Sequence, residues 1–254
     1  MSTIRNILFT ALLPPFAALL LPVAVEAQEG GDIQAQIDYA YQTEDGNTLS
    51  NLIQKLNAQV KADADDVALR YHLAHAQYRS GQMSEHGHKN EAEAAYSHCI
   101  DELKPVLDKN AKSAEALALQ SACYSGLAAL KSLEAVLLRS RAADRLTAAK
   151  KAAPRNPRVV LLSAMQELHR AKPGSAESQQ GLAELQRAAQ LFENSSGTSI
   201  ESPGWGHAEA YLALGHELQI RGDHLGARNW TEKALIAAPD YKAAQRQLAS
   251  LTKP

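Results

Sequence analysis

From residue 28 onward, apolar side chains recur every three or four positions, the interval of a helix face. No convincing run alternates with the period of two that a half-buried strand needs. Polar, glycine or proline clusters interrupt the pattern at 44–47, 61–66, 81–90, 108–113, 153–157, 172–178, 194–206, 222–223 and 239–240. Each segment between two breaks predicts one helix, or two where a turn is hidden. Short connections between amphipathic helices fold them back as antiparallel hairpins. Ala and Leu dominate and aromatic residues are only 5% of the chain, which also favours helix over strand.

The clearest hairpin runs over 208–239. Its first helix carries Tyr211, Leu214, Gly215 and Leu218, a Gly222-Asp223 turn follows, and its second helix carries Ala227, Ala234 and Leu235 before Pro239. Gly215, Ala227 and Ala234 allow two backbones to approach, while the leucines fill the space beside them. This pattern resembles the tetratricopeptide repeat (TPR), a helix-turn-helix closed by proline. Trp230-Thr231 inverts the usual polar-then-aromatic order of that repeat. The same grammar recurs upstream, with Ala74, Ser121 and Ala164 at the position of Gly215. Their separations of 47, 43 and 51 residues imply stretched repeats. HEAT-like helical repeats are the competing fold. The series Tyr124–Leu130, Ala152–Arg158 and Ser202–Gly206 is similar to a group of exported bacterial TPR proteins over about residues 65–245, a group that offers no catalytic residue to carry over.

The resemblance implies an all-α fold, a right-handed α-solenoid of TPR-like hairpins with capping helices at both ends. Residues 28–65 then form an N-terminal linker and capping helices, and 66–254 the repeat domain, closed by a capping helix near 241–251.

The first 27 residues belong to targeting. Arg5 precedes an apolar run from Ile7 to Val25 that ends in Val25-Glu26-Ala27, a small-x-small cleavage site. An uncleaved anchor is the alternative, opposed by Pro14, Pro15 and Pro22. Cleavage before Gln28 predicts a periplasmic or secreted protein with no transmembrane segment left. The balance of 26 Lys+Arg against 28 Asp+Glu, net −2, gives the chain as a whole no pull toward nucleic acid.

Candidate chemistry is sparse. His72, His75, His86, His88 and His98 cluster in sequence, but without the spacing of a strong metal motif. Solvated or packed histidines are therefore expected; a metal-binding protein using the His-rich hairpin 72–98 is the outlying alternative. Cys99 and Cys123 fall on neighbouring helices of consecutive repeats, within bonding reach, as a disulfide or as two buried thiols. No nucleophile elbow, phosphate loop or dinucleotide fingerprint is present. The expectation is a non-enzyme without cofactor that holds a peptide or protein partner noncovalently, the alternative being a structural component of an envelope assembly.

In TPR proteins the first helix of each pair lines the concave side. Carried onto this sequence, the groove takes Tyr71, His75, Tyr78 and Arg79 from the first unit, and Ala118 and Ala122 from the second. Arg158, Leu161 and Met165 come from the third, and Glu209, Leu212 and His216 from the fourth. Small side chains at Ala118 and Ala122 would leave room for a bound chain, and Tyr and Arg are frequent interface anchors.

Overall fold

The computed structural model describes residues 33–195 and 205–252. The expected targeting segment 1–27 lies outside them. Eleven helices and no strand make up the described residues. They are α1 (33–42), α2 (Gly46–Ala62), α3 (Val67–Ser84), α4 (Lys89–Lys109), α5 (Ala114–Leu130) and α6 (Ala135–Ala152), then α7 (Pro157–Arg170), α8 (Ala176–Asn194), α9 (His207–Ile220), α10 (His224–Ala237) and α11 (Lys242–Leu251).

Helix starts coincide with side chains that satisfy orphan backbone donors. Asp45, Asp66, Asn156, Ser175 and Asp223 each accept from a first-turn N–H, and Pro157 follows Asn156 where its missing N–H costs nothing. The expected breaks thus sit at or beside caps. One turn lacks any such signal: residues 131–134 separate α5 from α6 with neither Gly nor Pro.

The strongest packing is within the pairs α3–α4, α5–α6, α7–α8 and α9–α10, and the first helices α3, α5 and α7 also touch in turn. The small residues sit where backbones come closest. A Cβ on Gly215 would lie 2.5 Å from Thr231 Oγ1 and 3.1 Å from the Ala227 carbonyl. Ser121 is fully buried and its hydroxyl donates to the Ala142 carbonyl at 2.6 Å, tying α5 to α6. The Trp230-Thr231 inversion has a simple outcome. Thr231 faces inward, fully buried, and donates to the Ala227 carbonyl, while Trp230 packs at the edge against Tyr211 under Lys233.

Three apolar clusters follow one another along the chain: α1–α2–α3, then α3 to α7 with Trp205, then α7 to α11. In the middle one the Tyr96 ring is held between two glycines. A Cβ on Gly81 would approach it to 2.6 Å and one on Gly126 to 2.5 Å, so the ring fits only because both positions lack side chains. The two cysteines are joined in a disulfide, Cα–Cα 6.3 Å, linking α4 to α5. Of the two readings open from sequence, the structure takes the bond.

The ends of the series meet. Tyr41 of α1 packs on Tyr241, ring centroids 6.3 Å apart, and Glu44 takes a two-point ion pair from Arg246 of α11, one arm at 2.9 Å. The N-terminal hairpin, expected to cover one end, therefore contacts both α3 and the C-terminal α11.

Candidate functional site

Meeting of the ends brings α1, α3, α7, α9 and α11 around one interior. Arg79 of α3 lies at its centre and is 3% exposed. One of its Nη atoms donates to Glu209 Oε1 on α9 and lies 3.9 Å from Asp38 on α1; the other donates to Gln82 at 3.0 Å. Its guanidinium sits 4.2 Å over the Tyr41 ring. Glu209 also accepts from the Gly206 N–H at 2.9 Å, so one carboxylate caps α9 and holds the arginine.

Trp205, just before α9, reaches into the same interior. It stacks on His75 at 4.9 Å, its indole N–H donates to the Tyr71 hydroxyl at 3.1 Å, and its carbonyl accepts from Arg158 Nε at 2.9 Å. Arg158 and Asn156 both donate to Glu115, which takes a longer bond from the Tyr71 hydroxyl. Burial raises the phenols of Tyr41, Tyr71, Tyr78 and Tyr241, so they remain protonated. Burial, then Arg79, holds the His75 imidazole neutral, with Nδ1 3.0 Å from the Gln34 amide.

Beside this network opens a cleft of about 720 Å³. Tyr41, Tyr78, Arg79, Trp205, Glu209 and Tyr241 form its polar and aromatic end. Leu161, Met165, Leu168, Leu185 and Leu212 form an apolar wall, and His169, His216, Glu217, Arg246 and Gln247 are among the polar groups that line the cleft. Burial of 300–1,000 Å³ clefts with an apolar wall and a few polar groups is the ordinary architecture of a binding site.

Of the expected groove positions, Tyr78, Arg79, Leu161, Met165, Glu209, Leu212 and His216 line this cleft. Tyr71, His75 and Arg158 are instead engaged in the network around Trp205. Ala118 and Ala122 are buried in the same apolar cluster as Trp205, so the room expected above them is filled. Tyr78 and Arg79 are themselves buried, at 7% and 3% exposure, which makes them structural as well as cleft-lining. Sequence reasoning missed Tyr41, Trp205, Tyr241, Leu168, Leu185, Arg246 and Gln247 as members of one site. Tyr41 and Tyr241 fall in segments read as separate end caps, and nothing near Trp205 in sequence points to its partners on α3 and α7.

The histidines do not converge. His72 and His75 are buried on α3, while His86 and His88 in the connecting turn and His98 on α4 are exposed. No group of three or more His, Cys, Asp or Glu among the described residues is placed to hold a metal ion.

Asp38 gives the site a pH dependence. Its carboxyl is pushed up to about 7 by burial first and by the Glu209 carboxylate second, against Arg79, the Gln34 amide and Arg158. A raised carboxyl favours the protonated fold. Its burden is absent below the ordinary value near 3.8, grows as pH rises from about 4 to 7, and is constant above. Asp38→Asn keeps an acceptor for Gln34 and removes the charge. It is expected to gain about 2–4 kcal/mol at pH 8 and nothing at pH 4. Urea unfolding at both pH values measures this; equal shifts at the two would reject the assignment.

No protein-family model matches the chain, and no curated protein sequence matches it.

Proposed function

We propose that this chain is an exported TPR-type binding scaffold, a right-handed α-solenoid of helix hairpins capped at both ends, that holds a peptide or protein partner noncovalently in its concave groove. The observation that carries the reading is the cleft of about 720 Å³, whose walls come largely from α3, α7 and α9, the first helices of three of the four pairs, with α5 set back from it. Close hairpin packing at Gly215 and Ser121, and contact of α3, α5 and α7 in turn, support the repeat architecture. The cleft is shorter than a full solenoid groove because Trp205 and the Arg79 network fill the rest. It therefore accepts a short extended segment, with apolar side chains against Leu161, Met165 and Leu212 and backbone polar groups toward Gln247 and His216. The reading involves no covalent step and no cofactor, and the walls are pre-ordered, so little entropy is lost on binding.

Selection from a displayed library of extended peptides tests this. Enriched peptides are expected to bind the wild type and to weaken at least about tenfold with Leu212→Arg, which blocks the apolar wall. A photo-cross-linker at Met165 should capture the peptide, and one at the distant, exposed Lys55 should not. Equal capture at both positions, or binding indifferent to Leu212→Arg, defeats the proposal.

A further inference from the structure

The tip of the α5–α6 hairpin has a composition unlike the rest of the molecule. Leu133, Val136 and Leu137 stand out from it at 101%, 81% and 55% exposure, while their neighbours Ala135 and Leu138 are turned inward and buried. Three adjacent apolar side chains on a protruding tip are not the scattered exposure expected of any surface. The charge around them is also distinct. Residues 131–152 carry six basic residues and two acidic ones, a net +4, in a chain whose total is −2. Glu134 is paired with Lys131 at 3.4 Å. No ion pair among the described residues engages Arg139, Arg145, Lys150 or Lys151. Helix spacing puts Arg139 one turn below Val136 and Arg141 one turn below Leu137, so cations collar the apolar tip.

We propose that this tip is a membrane-docking surface, which seats Leu133, Val136 and Leu137 at the acyl boundary of an anionic bilayer while Arg139 and Arg141 meet the phosphates. Apolar side chains at the acyl boundary and cations at the level of the phosphates are the two components of peripheral binding, carried here by the tip of a hairpin and not by a helix lying flat. Lipid phosphate and the cationic face are complementary in charge, and a bilayer needs no shaped cavity to receive a convex tip. A second copy of the chain is disfavoured as occupant. Two-fold pairing through this patch would set Arg139 and Arg141 of one copy against the same two arginines of another. No helix among the described residues is long and apolar enough to cross a membrane, so the contact is peripheral. It leaves the cleft, which α5 and α6 do not line, free for its own ligand.

Amide hydrogen exchange of the full chain with vesicles reads the tip locally, whatever the state of residues 1–27. With vesicles of about one-third phosphatidylglycerol in phosphatidylcholine, residues 133–141 are expected to gain protection, and with phosphatidylcholine alone they are not. Arg139→Gln with Arg141→Gln should raise the lipid concentration at half-protection by roughly ten- to thirtyfold. Leu133→Ser, Val136→Ser and Leu137→Ser together should abolish protection without lowering the melting temperature, since all three side chains are exposed. Absence of protection at 133–141 with anionic vesicles overturns the proposal, even if the chain sediments with them through its N-terminus. So does protection that the serine variant retains, or that rises with protein concentration in the absence of lipid, which would make the tip a self-association surface.

Discussion

Arg79→Ala is expected to destabilise the protein by about 3–5 kcal/mol at pH 8, the range found when one partner of a buried ion pair is removed. Arg79, Glu209 and Asp38 have side-chain exposures of only 4%, 11% and 13%. Without the guanidinium, two carboxylates from α1 and α9 face one another across the interior with no cation between them. The Tyr41 ring also loses the group that lies over it. Protonation of Asp38, whose carboxyl burial already raises to about 7, relieves the variant, so its deficit should shrink as pH falls toward 4. Arg79→Lys keeps the charge but not the planar fork, and should fall between. Denaturant unfolding at pH 4 and pH 8 checks both the size and the pH trend. A loss below about 1 kcal/mol, the scale of an exposed pair, would mean that the ends of the series do not close around this group. On an open groove floor, the place the sequence suggests for Arg79, its loss would weaken binding and leave stability alone; burial of Arg79 between α1 and α9 reverses that.

Loss of the Cys99–Cys123 bond is the second large effect. The bond closes a loop across 24 positions, and both cysteines are fully buried between α4 and α5. Loop-closure entropy for that length corresponds to roughly 3 kcal/mol. For a chain of this size that is a fall in melting temperature of about 6–12 °C. Cys99→Ala with Cys123→Ala should show it without leaving a buried hydroxyl. Reductant should lower the wild-type melting temperature by a similar amount and leave the double variant unchanged. A reductant-insensitive wild type, with both thiols alkylated after unfolding without reductant, would show that the bond does not form.

The helices, their order and most of their ends were legible because they depend on neighbours in sequence. Asp66, Asn156 and Asp223 stop or start helices through hydrogen bonds to residues two or three positions away. Gly215 and Ser121 were legible for a similar reason, since only small side chains permit close backbone approach within one hairpin. The α5–α6 turn was not legible. Residues 131–134 carry no breaker, and Leu133, Val136 and Leu137 continue an apolar pattern that reads as core. Only the packing of α6 on α5 through Leu138 and Ala142 leaves those three outside.

The site was half legible. The TPR resemblance puts Arg79, Leu161, Met165, Glu209, Leu212 and His216 in one groove, and all six do line one cleft. Whether that interior is an open groove is not a local property. It depends on the small rotation contributed by each hairpin, summed over the series, and that sum decides whether Glu44 meets Arg246 and whether Arg79 meets a carboxylate 130 positions away. The sequence by itself determined an all-helical chain of paired helices with small residues at their crossings. Tertiary structure alone decided that the ends meet, that Trp205 and the Arg79 network occupy the interior between them, and that a cleft opens beside that network, because closure is set by all the interhelical angles together and by no single segment.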